Sequence, residues 1–198
     1  MNRRRGWSFL WEFIDLYRIK YALKYVDRGS VLDIGAGDAI EFIPREKYDY
    51  YCGIDLDKKL MEYLQQKHPD CDFFALDLDK GELNLNKKFD TILMLALIEH
   101  IHNPEKLLME CYKHLKRGGK LIITTPTKRG DRLLKILVKF FGSKESDESK
   151  YLRPHCTIYN RKGLESALKN AGFGVCVYKN FQFGMNQIAV AEKVQVDE

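Results

Sequence analysis

Residues 31–38, with the sequence Val-Leu-Asp-Ile-Gly-Ala-Gly-Asp, constrain the fold of this chain more than any other stretch. An apolar run that contains Asp33 passes directly into a Gly-x-Gly turn at Gly35 and Gly37. Because glycine has no Cβ, such a turn adopts backbone angles closed to other residues and lets a ligand approach the main chain. The pattern is typical of a buried parallel strand that leads into a helix beside a ligand site.

Two later apolar runs also end on an aspartate. Residues 50–54 lead to Asp55, and residues 73–76 lead to Asp77. In an open parallel sheet, ligands bind outside the carboxyl ends of the strands, where the strand order reverses. The sequence therefore predicts that Asp33, Asp55 and Asp77 line one binding site at this edge.

The remaining pattern alternates between helix and strand. It predicts helices over 8–26, 39–43, 57–67, 103–117, 131–142 and 161–171, and further strands over 89–97, 120–125, 175–178 and 187–191. Asn103-Pro104 begins the fourth helix, and Gly118-Gly119 is expected to end it. The predicted fold class is α/β: a doubly wound, mostly parallel seven-stranded sheet with helices on both faces and a C-terminal antiparallel strand.

A chain of 198 residues with 45% hydrophobic content fits one domain. We expect a single domain over 1–198, made of an N-terminal helical cap (1–28), a ligand-binding core (29–125), a lid or acceptor insertion (126–160) and a closing helix and strand pair (161–193). The run Arg3-Arg4-Arg5 before an apolar stretch resembles a signal peptide, but Glu12 and Asp15 interrupt that stretch. We expect the arginines to be a solvated chain end.

The spacing of the cysteines and the hydropathy of the chain indicate the cellular compartment in which the protein acts. The five cysteines are scattered without a C-x-x-C pair, which argues against a disulfide framework or a zinc site and favours a reducing cytoplasm. We accordingly predict no metal. No apolar run approaches the roughly 20 residues that a membrane span needs. The predicted helix over 131–142 is apolar on much of its surface, so core or lid packing and peripheral membrane contact are both open for it.

The net charge of +5 is unevenly distributed. Residues 1–28 carry +4 and residues 128–193 carry +7, whereas residues 29–127 carry −4. An acidic core favours a cationic cofactor, and basic flanks favour an anionic substrate or surface.

Two classes of cofactor use a glycine turn followed by acidic strand ends. A dinucleotide needs G-x-G-x-x-G, whose last glycine lets the helix approach the pyrophosphate. Here Ile40 stands at that position, and Asp38 puts a negative charge where phosphates would lie. A phosphate-free cofactor with a positive centre avoids both conflicts, and S-adenosylmethionine, with its sulfonium and amino group, meets these requirements.

The chain resembles the class I, seven-stranded S-adenosylmethionine-dependent methyltransferases, in their type 11 or ubiquinone-type small-molecule branch. The resemblance rests on residues 31–38, 53–57, 75–78, 89–101 (which include the tetrad Ile98-Glu99-His100-Ile101) and 115–126, and it extends over roughly residues 25–193. Ala39 departs from the third glycine common in the family.

The resemblance implies a role for each matching residue. Gly35, Ala36 and Gly37 would line the methionine portion of the cofactor, and Asp33 would hold its amino group. Asp55 with Leu56 would bracket the ribose and adenine, and Asp77 with Leu78 would lie on the other side of the adenine. Met94 and Leu95 would contact the cofactor from the end of the fourth strand.

His100 and His155 are the candidate catalytic residues. His100 follows the fourth strand, where a base could stand, although the tetrad also has a structural use in the family. His155 lies in the segment where relatives contact their acceptor, and its side chain could take a proton from a hydroxyl or bond to backbone. Asp57, Asp79 and His102 are assigned to capping or solvated positions.

These observations predict a methyltransferase that acts on a small, anionic acceptor by in-line displacement. Two alternatives stay open at this point: a catalytically silent cofactor-binding regulator, and a methyltransferase that binds RNA or DNA through the basic flanks. The Asn/Asp-Pro-Pro-Tyr/Phe motif of amino-methylating nucleic-acid enzymes is absent, since Met94–Leu97 stands in its place, so nucleic acid is not the expected partner. The sequence makes no statement on oligomeric state.

Overall fold

The computed structural model describes the backbone of residues 4–141 and 155–194, with side chains over 13–136 and 155–194. Its strands are β1 (Ser30–Ile34), β2 (Tyr50–Asp55), β3 (Asp72–Ala75), β4 (Phe89–Leu95), β5 (Leu115–Pro126), β6 (Phe173–Phe181) and β7 (Asn186–Lys193). Its α-helices are α1 (Arg4–Ala22), α2 (Lys58–Lys67), α3 (Pro104–His114), α4 (Lys128–Phe141) and α5 (Arg161–Asn170). Short 3₁₀ helices cover Ala39–Phe42, Arg45–Lys47 and Ile98–His100.

The seven strands form one sheet in the order β3-β2-β1-β4-β5-β7-β6. The pairs from β3 to β5 are parallel, whereas β7 runs antiparallel to both β5 and β6. This confirms the predicted fold class. Strand order reverses between β1 and β4, so the carboxyl ends of these two strands frame the crevice where ligands bind in such sheets.

Side-chain alternation along the strands divides the core between the two faces of the sheet. Leu32 and Ile34 of β1 pack with α3 and α5 on one face. Val31 of the same strand packs with α1 and α2 on the other face. Because successive side chains point to opposite faces, Asp33 lies on the α1 and α2 face, in the same layer as Tyr51 of β2.

Helix α1 is anchored by aromatic side chains. Tyr21 stacks on Phe181 of β6 with ring centroids 4.6 Å apart and 7° between the ring planes. The Gln182 side-chain amide donates a hydrogen bond of 2.9 Å to the main-chain oxygen of Ile14. These contacts hold α1 across the end of the antiparallel hairpin, close to the carboxyl ends of the central strands.

Several predicted boundaries are wrong, and β5, α4 and β6 begin at Leu115, Lys128 and Phe173 rather than at residues 120, 131 and 175. The first helix ends at Ala22 rather than at residue 26, although Leu23 and Val26 remain buried, because the chain turns while it keeps its apolar contacts. The fourth predicted helix, which is α3, ends at His114 and not at Gly118-Gly119; Gly118, with φ of +69°, lies within an extended β5. Strand β4 ends at Leu95, since Ala96 adopts a left-handed conformation with φ of +54°.

Some predictions fall outside the described residues. The side chains of Arg3-Arg4-Arg5 and residues 142–154 of the predicted lid are among them. Within α4, Leu133 and Ile136 are 39% and 46% exposed, and peripheral membrane contact through residues 131–142 stays a prediction. In the part of the chain that is described, no helix combines the length and the apolar character needed to cross a membrane.

Candidate functional site

The glycine turn joins the end of β1 to the end of β2. The backbone N–H groups of Gly35 and Ala36 both donate to the Ile54 carbonyl, at 2.8 and 2.9 Å. Gly35 and Gly37 have φ of +74° and +49°, which disfavours any other residue there. A Cβ built on Gly35 would lie 2.9 Å from Leu97 Cδ1, whereas one on Gly37 would meet no atom within 4 Å. The main chain at Gly37 therefore borders open space where a ligand can approach.

Asp55 ties this turn to the end of β2. Its Oδ2 accepts a hydrogen bond of 3.0 Å from the Gly37 N–H, and its Oδ1 accepts one of 3.0 Å from the Asp57 N–H. The next residue, Leu56, is 52% exposed. A carboxylate beside an exposed leucine at the carboxyl edge can accept hydrogen bonds from the hydroxyls of a sugar while an apolar ring lies against the leucine.

Asp33 is completely enclosed behind the turn. It is 1% exposed, and its Oδ2 accepts a hydrogen bond of 2.9 Å from the Tyr51 hydroxyl. Burial raises the pKa of the Asp33 carboxyl to about 7, and the hydrogen bond from Tyr51 opposes that rise. A buried acid that ionises near neutral pH is suited to a ligand that brings a positive charge close to it.

Asp77 lies at the end of the run after β3. Its Oδ2 forms an ion pair of 3.0 Å with Lys80, and its Oδ1 accepts a hydrogen bond of 3.1 Å from the Asp79 N–H. The hydrogen bond from Lys80 holds the pKa of Asp77 below its ordinary value. Leu78, the next residue, is partly buried against the core. A ligand amino group at Asp77 would share the carboxylate with Lys80.

Two acidic residues that the sequence assigned to structural positions do occupy them. The Asp57 side chain accepts a hydrogen bond of 3.1 Å from the Leu60 N–H and so caps α2. Asp79 accepts a hydrogen bond of 2.8 Å from the His102 N–H and lies 3.0 Å from His102 Nδ1. Both carboxylates are thus engaged in holding loops.

The end of β4 presents one of its two predicted residues to the edge. The Met94 side chain is fully buried in the core on the α3 and α5 face. Leu95, on the opposite face, is partly exposed. Ala96 then takes its left-handed conformation, and its N–H donates a hydrogen bond of 2.9 Å to the Thr124 carbonyl of β5. A left-handed alanine costs about 1–2 kcal/mol, which the surrounding structure must offset.

The two candidate histidines lie side by side beyond the end of β4. The ring centroids of His100 and His155 are 4.9 Å apart. His155 Nδ1 lies 2.7 Å from Asp131 Oδ1, at the N-terminal end of α4. Partial burial works to raise the pKa of Asp131, but hydrogen bonds from Lys135 and His155 outweigh it, so this pKa lies below its ordinary value. An ionised Asp131 fixes the orientation of the His155 ring.

Glu99 completes this group of side chains. It is 1% exposed, and its Oε2 has no hydrogen-bond partner among the described residues. Burial raises the pKa of Glu99, and the charge of Arg18 counteracts that rise. The main-chain oxygen of Glu99 accepts hydrogen bonds from the N–H groups of Cys156 and Thr157, at 2.6 and 3.2 Å, so the segment that carries His155 is joined directly to this turn.

Further buried polar atoms lie on the elements that meet beyond β4 and β5. Within the described part of the chain, no hydrogen-bond partner is found for Arg18 Nε, Thr124 Oγ1 or Asn186 Oδ1. Thr124 and Asn186 are 0% and 7% exposed. Because buried polar groups are normally paired, such atoms at a sheet edge are suited to a polar ligand.

Sequence reasoning missed Tyr51 and Asp131, and it noted Glu99 only as part of the tetrad beside His100. Tyr51 reads as a core aromatic, and only its register with Asp33 shows its second role. Asp131 and Glu99 are separated from His155 by 24 and 56 positions, so no short motif joins them. The one available signal was Glu99 itself, a charged residue in a run of otherwise apolar character.

Comparison with known proteins agrees with this architecture. The family described as "Methyltransferase domain" matches residues 7–176. The ubiquinone/menaquinone biosynthesis C-methyltransferase UbiE of Campylobacter jejuni is 27% identical over 158 residues, which make up 72% of this chain and 66% of that protein. The ubiquinone biosynthesis O-methyltransferase of Rickettsia typhi is 24% identical over 148 residues, or 69% of this chain and 59% of that one. The chain thus spans slightly less than two thirds of these relatives.

A solved structure shows the same fold. The magnesium protoporphyrin IX methyltransferase of Synechocystis, determined with bound S-adenosylhomocysteine, superimposes with a TM-score of 0.65 at 16% identity. The match covers 91% of this chain and 84% of that one.

Proposed function

The chain belongs to the methyltransferase-domain family of S-adenosylmethionine-dependent enzymes, and we propose that it transfers a methyl group to the oxygen of a small acceptor that binds beside His155. Membership of the family implies the use of S-adenosylmethionine. The proposed site for the acceptor rests on one observation, the contact of 2.7 Å between His155 Nδ1 and Asp131 Oδ1 at the carboxyl edge of the sheet.

We assign the binding of S-adenosylmethionine to the glycine turn and to the aspartates near the carboxyl ends of β1, β2 and β3. The open space at Gly37 leaves room for the methionine portion, and buried Asp33 provides a carboxylate for its amino group. Asp55 offers acceptor oxygens to the ribose, and Asp77 one to the adenine amino group. When bound, the cofactor supplies an electrophilic methyl group on a positively charged sulfur.

We assign binding of the acceptor to the predicted lid, residues 126–160. Unpaired buried atoms of Thr124 and Asn186 favour an acceptor that carries hydroxyl or carbonyl groups. His155, oriented by Asp131, and His100 beside it can bind an acceptor hydroxyl and take its proton. The other requirement is placement: the enzyme must hold the acceptor in line with the methyl group and exclude water.

Charge suggests which acceptors to try first. The N-terminal and lid segments are basic, so we expect an acidic acceptor to bind better than its neutral counterpart. Equal kcat/KM for a hydroxylated aromatic acid and its methyl ester would contradict this part of the proposal.

The experiment that tests the proposed function is methyl transfer from S-adenosyl-[methyl-³H]methionine to a fractionated cell lysate, whose fractions include small molecules and nucleic acids. We expect one labelled product, and mass spectrometry of that product would identify the methylated atom. Tight cofactor binding without any labelled product would favour the regulatory alternative. A labelled nucleic acid would favour the RNA or DNA alternative, which the relatives named above do not favour. A cytoplasmic location stays a prediction.

A further inference from the structure

We propose that Glu99, His100 and His155 form a binding site for one divalent first-row transition-metal ion at the acceptor end of the site. Each of the three residues offers one ligand atom, and all three atoms lie within 4.8 Å of one another. Neighbouring ligand atoms of a tetrahedral ion, each about 2.1 Å from it, lie about 3.4 Å apart, so the three side chains must approach one another by up to about 1.4 Å to complete the coordination. The binding part of this inference stands alone, whereas its catalytic part rests on the proposed function.

His155 has the arrangement that metal-binding histidines have. Its Nδ1 lies 2.7 Å from Asp131 Oδ1, which leaves Nε2 as the ligand atom. A ligand histidine usually donates its other N–H to a carboxylate or carbonyl, which fixes the tautomer and makes the ligand nitrogen more basic. The Asp131 carboxylate is itself fixed by a contact of 2.9 Å with Lys135.

Glu99 provides the second, independent observation. Its side chain is buried, yet Oε2 has no hydrogen-bond partner among the described residues. A buried carboxylate oxygen without a partner is costly, and a bound cation removes that cost. At 1% exposure, the Glu99 side chain is also shielded from solvent that could otherwise satisfy its carboxylate.

The charges around the cluster permit a cation. Arg18, whose charge acts on Glu99, forms an ion pair of 2.7 Å with Asp15. Lys135 contacts Asp131 Oδ2, the oxygen that His155 does not contact, and its side chain is 70% exposed. Two carboxylates, those of Glu99 and Asp131, therefore face the two histidines from the 3₁₀ turn after β4 and from α4.

Two imidazoles and one carboxylate select first-row transition metals over Mg²⁺ or Ca²⁺, which prefer all-oxygen sites. Three protein ligands leave coordination positions for water or for an acceptor oxygen. With His100 and His155 bound to the ion, they no longer act as proton acceptors themselves, and the ion would instead lower the pKa of an acceptor hydroxyl. As the oxygen lone pair forms the new C–O bond, the S–CH₃ bond breaks, its electron pair stays on the now neutral sulfur, and the hydroxyl proton passes to solvent.

The test is equilibrium binding of Mn²⁺ and of Co²⁺ to the full chain, freed of metal by a chelator and of any purification tag. Mn²⁺ is followed by electron paramagnetic resonance and Co²⁺ by its visible absorption. The variants are Glu99→Gln and His155→Gln. Matched controls are His102→Gln, a histidine held by Asp79 outside the cluster, and Cys156→Ser, a thiol next to the cluster that could bind Co²⁺.

We expect one ion per chain, and a loss of affinity greater than about 100-fold in both cluster variants, since even outer partners of ligands typically cost 10–100-fold. Both controls should bind as the wild type does. S-adenosylhomocysteine affinity, measured on every variant, shows that each is folded. A wild-type chain that binds S-adenosylhomocysteine but neither ion overturns the inference, as does binding that Glu99→Gln leaves unchanged or Cys156→Ser abolishes. Failure of the proposed function is a separate result: ion binding without any methyl transfer.

Discussion

The hydroxyl of Tyr51 donates a hydrogen bond of 2.9 Å to the carboxylate of Asp33, and neither side chain is more than 1% exposed. Burial of Asp33 raises its pKa to about 7 from the value of 3.8 expected in the unfolded chain. The folded protein therefore holds this proton over a pH range in which the unfolded chain has lost it. The pair makes stability and ligand binding depend on pH in a defined direction.

The first prediction concerns the free energy of unfolding. The contribution of Asp33 is full below about pH 4 and decreases as the pH rises through about 7, by up to about 4 kcal/mol. In Asp33→Asn, the amide oxygen still accepts the hydrogen bond from the Tyr51 hydroxyl, but the side chain no longer ionises. Urea unfolding of both proteins between pH 4.5 and 8 should show Asp33→Asn gaining stability relative to the wild type as pH rises. A constant difference over that range would contradict the predicted pKa.

The second prediction concerns protons released on binding. A cofactor amino group close to Asp33 favours the ionised carboxylate, so binding at pH 6.5 should release up to one proton from the wild type. Calorimetry in buffers of different ionisation enthalpy measures this number. Tyr50→Phe removes a hydroxyl of β2 that donates to Asp72 of β3, and this variant should release as many protons as the wild type. Proton release that persists in Asp33→Asn would show that another group titrates.

The third prediction uses two glycines with the same backbone demand. Gly37 and Gly118 both have positive φ, and a Cβ on either would meet no protein atom within 4 Å. Replacement by alanine should cost each protein about 1–2 kcal/mol of stability. Only Gly37→Ala should also weaken binding of S-adenosylhomocysteine, by at least about tenfold or 1.4 kcal/mol, because its Cβ would occupy ligand space. Equal affinities of the two variants would remove Gly37 from the site.

The fourth prediction concerns Asp131 as a positioning residue for His155. Asp131→Asn keeps a hydrogen-bond acceptor but loses the charge that fixes the ring. We expect kcat to fall by about 10–100-fold, with the Kd for S-adenosylhomocysteine unchanged. Lys135→Gln, which leaves the contact between Asp131 and His155 in place, should lower kcat by less than about threefold, since an exposed ion pair is worth little. An unchanged kcat in Asp131→Asn would separate this pair from catalysis.

Much of the fold follows from the sequence because its signals are local. Apolar runs that end on Asp55 and Asp77, together with the glycine turn, predict parallel strands and the edge where they meet. The caps at Asp57 and Asn103 are equally local, and both make the expected contacts. The end of α3 was predicted wrongly because Gly118 reads as a helix stop, whereas it allows the positive φ within an extended strand.

The site is only partly predictable, because its second half depends on distant contacts. Tyr51 reaches Asp33 through the register of β1 and β2, in which Val31 pairs with Tyr51. Asp131 contacts His155 although 24 positions separate them, and no residue pattern in the sequence specifies that contact. Met94 differs from these residues, because the sequence motif over residues 89–101 places it at the end of β4. The alternation of side chains along that strand nevertheless directs Met94 into the core.

The central claim is tested most directly by calorimetric titration of the wild-type chain with S-adenosylmethionine, S-adenosylhomocysteine and NADH at pH 7.5. The proposed site predicts that the two adenosyl ligands bind with one-to-one stoichiometry and that NADH does not bind. Binding of NADH, together with no heat from either adenosyl ligand, would contradict it.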